Sequence, residues 1–458
     1  MFVIPGIVAL LAYVCIRPQD VWESVRVITF PMVLAFAAFG LVLDVSVGAT
    51  KPRPSLLLAL GVAFFMWAML TIAIRAPDTL SENLLIMAAP ASLFLTTSQG
   101  INTLRGFRAV TRIFLAVTMV VALIAIHQGL SPSVCLVDIG DAGPVPVKDA
   151  TGAPRACTTR AECAEAGNPG QDYLCEHAGL MGTTSITGRV RYLGIFQDPN
   201  ELAWALSLSL PFAFVWFERR RGLGRRTFDM AIIGLVVVAC IVCNIMTKSR
   251  SGQIALVATL GTYFIRRFGW KGVVGGGVLA IPILLLGGRS DDASTDERLE
   301  CWAEAMSLWR ENPFLGVGAR QFTQHHYLTA HNSSLLALAE LGPIGLLLFT
   351  AIVYLAFKIA LTAQRDLASR PEAAPARAAA FATVAGLVGM VSSALFLSLT
   401  YHMSLWIMIG LAGAIQAVVA RHDPDWRVHW RWRDTMFVVG LDVVLIAGTA
   451  LYLRLKGV

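Results

Sequence analysis

Apolar stretches long enough to cross a lipid bilayer recur along almost the whole chain of 458 residues. A membrane core of about 30 Å requires about 20 mainly apolar residues in a helix, because lipid offers the backbone no hydrogen-bond partners. Only 15% of the residues are charged, against roughly 25% in soluble domains. The sequence therefore predicts an all-α polytopic membrane protein with about 12–13 transmembrane helices. These predicted spans lie near residues 2–16, 28–47, 55–74, 83–98, 109–127, 199–217, 228–246, 252–265, 272–288, 334–357, 379–399, 403–420 and 435–453.

Lysine and arginine concentrate in alternate short loops, most clearly in ERRRGLGRR at 218–226. Cytoplasmic loops of membrane proteins carry an excess of these residues, so this side is predicted to be cytoplasmic. The two longer loops, 129–198 and 289–333, then lie on the opposite, periplasmic side. The net charge of +7 reflects this orientation, and no nucleic-acid partner is expected.

The alternation of loops and spans predicts five regions, and no internal repeat is evident in the sequence. The second long loop contains DERLECWAEAMSLWRENPF at 296–314, whose apolar residues recur at near-helical spacing. This pattern is typical of an amphipathic helix lying on a membrane surface. The regions are N-terminal helices (1–128), a periplasmic loop with four cysteines (129–198), central helices (199–288), a second periplasmic loop (289–333) and C-terminal helices (334–458).

Four cysteines lie in the first long loop: Cys135, Cys157, Cys163 and Cys175. Four cysteines in one hydrophilic loop suggest two disulfides, for which three pairings are possible. Disulfides persist in oxidising compartments, which agrees with the periplasmic placement of this loop. The alternative is four free thiols.

The segment GRVRYLGIFQDPNELAWAL at 188–206 combines a helix start with two cations. Asp198 before proline is a good N-cap, which gives it a structural role. Asn200 has no such explanation and is a candidate for substrate binding. Arg189 and Arg191 precede the helix start, and arginines beside a helix N-terminus favour an anion. Contact with lipid headgroups is the alternative.

The segment TKSRSG at 247–252 joins two apolar spans on the predicted periplasmic side. Turn chemistry explains its serines and glycine, whereas Lys248 and Arg250 are costly among packed helices unless an anion compensates their charge. An anion site and snorkelling of the two side chains to lipid phosphates both fit this pattern.

The segment TAHNSSLLALAELGPIGLLLF at 329–349 places a histidine before an apolar run that contains a carboxylate. His331 and Glu340 are nine residues apart, so on one helix they would be half a turn out of phase and about 13.5 Å apart along the axis. They are therefore predicted to act separately. An imidazole with a pKa near 6.5 can accept a proton, and Glu340 needs a partner from another element. Gly342 and Gly345, about one turn apart, favour helix packing.

No metal-binding motif is evident, since the sequence contains no HExxH, no CxxC and no cluster of histidines. The phosphate-binding P-loop motif is also missing from the sequence. We therefore expect neither a metal nor another cofactor.

His331-Asn332, followed after nine residues by Gly342-Pro-Ile-Gly345, resembles the signature of the bacterial O-antigen ligases and the O-antigen and exopolysaccharide polymerases. Three further segments resemble blocks of the same family in the same order: IFQDPNELA (195–203), TKSRSG (247–252) and WRENPFLGVG (309–318). The resemblance covers roughly residues 188–350. A possible thirteenth span and the four-cysteine loop depart from the family pattern.

The resemblance implies an inverting, metal-independent glycosyltransferase of surface-polysaccharide biosynthesis in the bacterial inner membrane. The donor would be a glycan on undecaprenyl diphosphate, and the acceptor a hydroxyl of another glycan or of lipid A-core at the periplasmic face. His331 would be the general base, and Arg191 and Arg250 would stabilise the departing diphosphate. The expected substrate-binding residues are Arg189, Asn200, Lys248, Arg298, Arg320 and Asn332.

Two other functions fit parts of the pattern. A protein O-oligosaccharyltransferase would use the same donor and fold, and the sequence does not separate it from a polymerase or ligase. A transporter or flippase would use His331 and Glu340 in an ion pathway. The long outer loops, the missing repeat and the gathering of polar residues at one membrane surface argue against transport.

Overall fold

The structure is a computed structural model that describes residues 2–138, 144–149, 151–165, 172–217, 223–286 and 293–457. Residues 218–222 of the predicted arginine-rich loop and the predicted boundary at 288–289 lie outside these ranges. The helices are α1 (Val3–Cys15), α2 (Pro18–Val21), α3 (Phe30–Ser46), α4 (Leu56–Arg75), α5 (Leu80–Gly100), α6 (Leu104–Leu130), α7 (Arg160–Glu165), α8 (Pro199–Ser209), α9 (Pro211–Phe217), α10 (Leu223–Met246), α11 (Arg250–Phe268), α12 (Trp270–Leu286), α13 (Ala293–Glu311), α14 (Ser333–Asp366), α15 (Ala374–Ala394), α16 (Met403–Val419) and α17 (Trp432–Lys456).

Within the described ranges, 7 helices are long and apolar enough to cross a membrane by length and composition: α4, α5, α6, α10, α14, α15 and α17. Three shorter apolar helices, α1, α3 and α16, add to them. The other predicted spans coincide with α8 and α9, with α11 and with α12. The chain is thus an all-α, multi-pass membrane protein, as the sequence predicts.

Helix α16 lies at the centre of the largest core cluster and is buried along almost its whole length. Its Trp406 packs against aromatic rings of two neighbouring helices, with ring centroids 5.2 Å from Phe64 and 4.4 Å from Phe65 of α4, and 5.5 Å from Phe94 of α5. Such tilted and edge-on pairs are favoured by the charge distribution of aromatic rings. In contrast, α3 and α17 expose many large apolar side chains, as expected for helices facing lipid.

Helix α14 is interrupted at Gly342, which has φ 68° and ψ −171°. The next residue, Pro343, has no N–H to donate, so the last carbonyls of the first segment lose their partners within the helix. Three donors from other elements replace those partners: Val317 N–H to Ala339 O (3.0 Å), Gly318 N–H to Glu340 O (2.9 Å) and Trp67 Nε1–H to Leu341 O (2.9 Å). Gly342 therefore breaks the helix, and its lack of a Cβ admits the Phe314 carbonyl oxygen, which would lie 2.2 Å from an added Cβ.

The four-cysteine loop folds around a small antiparallel sheet. Strand β1 (Ser133–Asp138) lies between β2 (Pro144–Pro146) and β3 (Tyr173–His177). Disulfides join Cys135 to Cys163 and Cys157 to Cys175. The sheet was not expected from the sequence, because its strands are short and separated by glycine- and proline-rich segments.

Candidate active site

His331 stands just outside α14, in a strained part of the chain. Its φ is 48°, which non-glycine residues rarely adopt. Its backbone N–H donates to Ser398 Oγ at 2.9 Å, and none of the described residues hydrogen-bonds to its imidazole. Because α14 begins at Ser333, His331 and Glu340 do not share one helix, and the helical phase predicted for them does not apply.

Residues 395–402, which we call the 395–402 loop, hold the backbone next to His331. The Ser333 hydroxyl donates to the Leu397 carbonyl (2.7 Å) and accepts the Leu399 N–H (2.9 Å), and the Thr400 hydroxyl donates to the Ser333 carbonyl (2.7 Å). The predicted span 379–399 is too long at its end, since α15 ends at Ala394. The polar residues alternating in LFLSLTYH (395–402) were the available signal for this loop.

Asn332 is the N-cap of α14. Its Oδ1 accepts the N–H groups of Ser334 at 3.0 Å and Leu335 at 3.1 Å, and the residue is 7% exposed. Such a cap stabilises a helix by about 1 kcal/mol. Its oxygen is therefore committed to the helix, although the sequence suggested a contact with substrate.

Arg189 joins two of the sequence segments singled out above. Its Nε donates to the Thr247 carbonyl at 2.8 Å, and its Nη2 donates to Asn200 Oδ1 at 2.9 Å. The Nδ2 of Asn200 in turn donates to Asp198 Oδ1 at 2.9 Å, and Asp198 accepts the Asn200 N–H at the start of α8. These bonds brace the site, because they connect the start of α8 to the turn before α11.

Arg250 and Arg298 line one cavity of about 270 Å³. Arg250 is the first residue of α11, its side chain is exposed, and no ion pair or hydrogen bond joins it to the described residues. Trp302, Phe396 and Tyr452 contribute aromatic walls. No local pattern in the sequence places α17 here, since Tyr452 is separated from Arg250 by some two hundred residues. The cavity is completed by Ser251, Ile254 and Leu299.

Arg191 and Lys248 lie on the side of the site formed by the 188–191 segment. The Nε of Arg191 donates to the Thr184 carbonyl at 2.9 Å, and its backbone N–H donates to Gln128 Oε1 at 2.9 Å. Lys248 is exposed, has φ 50°, and places its Nζ 3.6 Å from where a Cβ on Gly188 would be. The structure thus places the Lys248 side chain next to the segment that carries Arg191.

Electrostatic interactions connect these groups. Burial and the positive charge of Arg298 lower the pKa of His331, while Asp198 and Glu297 oppose the shift. A lowered pKa keeps the imidazole neutral, and so able to accept a proton, at neutral pH. Burial also lowers the pKa of Arg191, against the influence of Glu176 and Asp198. An arginine remains charged under all such conditions.

Glu340 and Arg320 belong to a neighbouring structural unit. The Glu340 side chain is buried and accepts the backbone N–H of Arg320 at 2.8 Å and of Phe322 at 3.0 Å. Arg320 has φ 61° and an exposed side chain. The backbone N–H of Arg320 is thus bonded to Glu340, and the expected role of its side chain in substrate binding stays a prediction.

Within the described part of the chain, the one cluster with the spacing of metal ligands consists of Cys135, Cys157 and Cys163. All three cysteines are in disulfides, and a sulfur bonded in a disulfide is not the thiolate that binds metals. The cavity beside Arg250 and Arg298 is instead suited to an anion, since it joins two arginines with aromatic neighbours.

The fold defines a multi-pass membrane protein in which Arg250 and Arg298 line one cavity and Arg298 influences His331. Residues 235–350 match the O-antigen ligase family. The chain is also 24% identical over 217 residues to the exopolysaccharide production protein ExoQ of Rhizobium meliloti (strain 1021). That match covers 39% of this chain and 49% of the relative, so it spans about half of that protein's length. The resemblance to the O-antigen ligase and polymerase family is confirmed.

Proposed function

We propose that the protein is an inverting, metal-independent glycosyltransferase of the O-antigen ligase or polymerase type, acting in surface-polysaccharide biosynthesis. Its donor is a glycan linked to undecaprenyl diphosphate in the inner membrane. Its acceptor is a sugar hydroxyl of a glycan or of lipid A-core at the periplasmic face. The observation that carries this proposal is the placement of Arg250 and Arg298 around one cavity, with Arg298 close enough to His331 to influence its pKa.

In the proposed reaction, His331 is the general base and the diphosphate is the leaving group. The neutral imidazole of His331 accepts the proton of the acceptor hydroxyl while the hydroxyl oxygen attacks the anomeric carbon of the donor sugar. The bond from that carbon to the diphosphate breaks, and its electron pair leaves on the diphosphate oxygen. Attack from the opposite face inverts the anomeric configuration.

Arginines fit the leaving group. A departing diphosphate gains negative charge, which guanidinium groups stabilise through paired N–H donors. Arg250 has no competing partner among the described residues, and Arg191 uses its Nε and Nη2 on Thr184, which leaves its Nη1 for an anion. Removing one preorganised donor of this kind lowers the rate by about 10²–10³-fold.

The substitution His331→Ala tests the proposal. We expect it to lower glycan transfer by about 10²–10⁴-fold, the usual contribution of a general base, while the protein still inserts into the membrane. His325→Ala is the matched control, because His325 is exposed and makes only backbone hydrogen bonds. Transfer would be measured with purified protein in nanodiscs and a lipid-linked glycan donor. Full activity of His331→Ala would exclude the general-base role.

A deletion strain separates polymerase from ligase. Accumulation of single lipid-linked repeat units would indicate the loss of a polymerase, and accumulation of long lipid-linked chains would indicate the loss of a ligase. Loss of glycan from a protein, with normal lipid-linked chains, would instead support a protein O-oligosaccharyltransferase.

A further inference from the structure

Glu176 is a buried carboxylate in the four-cysteine loop, outside the groups proposed to act on substrate. It is 8% exposed and lies on β3. Its oxygens accept the hydroxyl of Ser185, the Thr187 N–H at 2.5 Å and the Gly188 N–H at 3.1 Å. These donors are all uncharged, and their hydrogen bonds compensate the burial of the carboxylate. The carboxylate in turn orders the backbone that leads to Arg189 and Arg191.

The backbone that Glu176 holds is strained. Thr187 has φ 51° and Gly188 has φ 66°. A β-branched residue such as threonine is seldom found in this left-handed region, and it persists there only when its surroundings impose it. The N–H groups of both left-handed residues donate to the Glu176 carboxylate, which is the contact that holds this backbone conformation.

The disulfides anchor the strand that carries Glu176. Cys175, its neighbour in sequence, is bonded to Cys157. β3 also pairs with β1, and the chain after it pairs with the held segment, since the Ser185 N–H donates to the His177 carbonyl at 3.0 Å. Residues 184–188 are therefore fastened to a cross-linked sheet on one side.

The same segment sets the position of Arg191. The carbonyl of Thr184 accepts the Arg191 Nε–H at 2.9 Å, and the hydroxyl of Thr184 lies 3.4 Å from Nη2. Because Ala178 forms a bridge with Thr184, the guanidinium is held through the strand end that follows Glu176. A guanidinium must be held within about 0.5 Å to serve as a preorganised anion site.

We propose that Glu176 is a positioning residue, which holds residues 184–188 so that the Arg191 guanidinium faces the diphosphate of the donor. The disulfide-bonded loop is thus a support for the anion site. This inference rests on the proposed function for the role of Arg191, but not for the ordering of the segment.

The experiment compares Glu176→Gln with Glu162→Gln in the full-length protein in nanodiscs. Glu162 is the matched control, because it is a carboxylate of the same loop that accepts the Thr158 N–H at 2.9 Å and does not contact residues 184–188. Hydrogen exchange of the peptide covering Thr187 and Gly188 reports the ordering. We expect exchange at least about tenfold faster in Glu176→Gln and unchanged exchange in Glu162→Gln.

Steady-state kinetics then reports the effect on Arg191. The KM for the lipid-linked donor should rise about tenfold in Glu176→Gln, while the KM for the acceptor stays unchanged, since only diphosphate binding depends on Arg191. If Glu176→Gln does not accumulate in the membrane, Ser185→Ala, which removes one of the three donors, takes its place. Unchanged exchange in the variant that is measured would overturn the proposal.

One further variant separates this inference from the proposed function. If Arg191→Gln retains full transfer, the proposed role of Arg191 fails, whereas hydrogen exchange still decides whether Glu176 orders the segment. If exchange rises in Glu176→Gln and the KM values for donor and acceptor rise equally, Glu176 is a general structural residue and the positioning role is refuted.

Discussion

The substitution Gly342→Ala tests the break in α14, the helix that begins just after His331. Gly342 has φ 68° and ψ −171°, a conformation that is essentially restricted to glycine and costs other residues about 1–3 kcal/mol. A Cβ added there would lie 2.2 Å from the Phe314 carbonyl oxygen. The backbone of Phe314 would have to move. Val317 and Gly318, which come three and four residues later in the sequence, would be displaced with it.

That movement weakens the hydrogen bonds that close the break. Val317 and Gly318 donate to the freed carbonyls at 3.0 Å and 2.9 Å, and a buried hydrogen bond contributes about 1 kcal/mol net. Together with the conformational strain, the free energy of unfolding should fall by about 3 kcal/mol or more. Transfer activity should also fall, because the same turn leads to Arg320 and to the loop before His331.

Unfolding in detergent mixtures, followed by tryptophan fluorescence, measures this change. Gly448→Ala is the control, because Gly448 lies within α17 with nothing within 4 Å of an added Cβ. Alanine has the higher helix propensity, so this control should be neutral or slightly stabilised. Equal stability of Gly342→Ala and the native protein, within about 0.5 kcal/mol, would refute the account of the break.

Further outcomes follow from the site and from the four-cysteine loop. Arg250→Lys should lower transfer by at least about 10²-fold, since lysine lacks the paired donors of a guanidinium; near-native turnover with a diphosphate-linked donor would contradict paired contact. Because burial and Arg298 lower the pKa of His331, activity should persist at pH 6.5 and fall only at lower pH, as the imidazole gains a proton. Arg298→Gln should move that acidic fall to higher pH, and an unmoved profile would exclude its influence on the histidine. Mass spectrometry of the unreduced protein should find the two disulfides in the pairing described above, and any other linkage, or four free thiols, would count against the structure of that loop.

Several features were predictable because they depend on local chemistry. Long apolar runs must form helices in lipid, where the backbone can satisfy its hydrogen bonds only internally. Each of the thirteen predicted spans therefore coincides with a helix or helix pair, although the boundary of α15 was placed too far along the chain. Residues 395–399 are apolar enough to resemble the end of a span, and only their bonds to Ser333 explain why they form a loop.

Other features depended on partners that are remote in sequence. Gly342 breaks α14 because Val317 and Gly318 supply the donors that the first helical segment loses. Arg189 and Asn200 looked available for a substrate, but they are bonded to each other. Tyr452 of the last helix joins Arg250 at one cavity, and no local pattern indicates that pairing.

The sequence by itself determined that this chain is a helical membrane protein with cations and a histidine near the ends of its spans. The cost of unsatisfied backbone in lipid decides the first point, and the cost of charge in lipid confines the cations to span ends. Only the tertiary structure decided which cations meet. Arg250 and Arg298 line one cavity, and Arg298 lies close enough to His331 to influence its pKa, because helix packing brings together residues that are far apart in the chain.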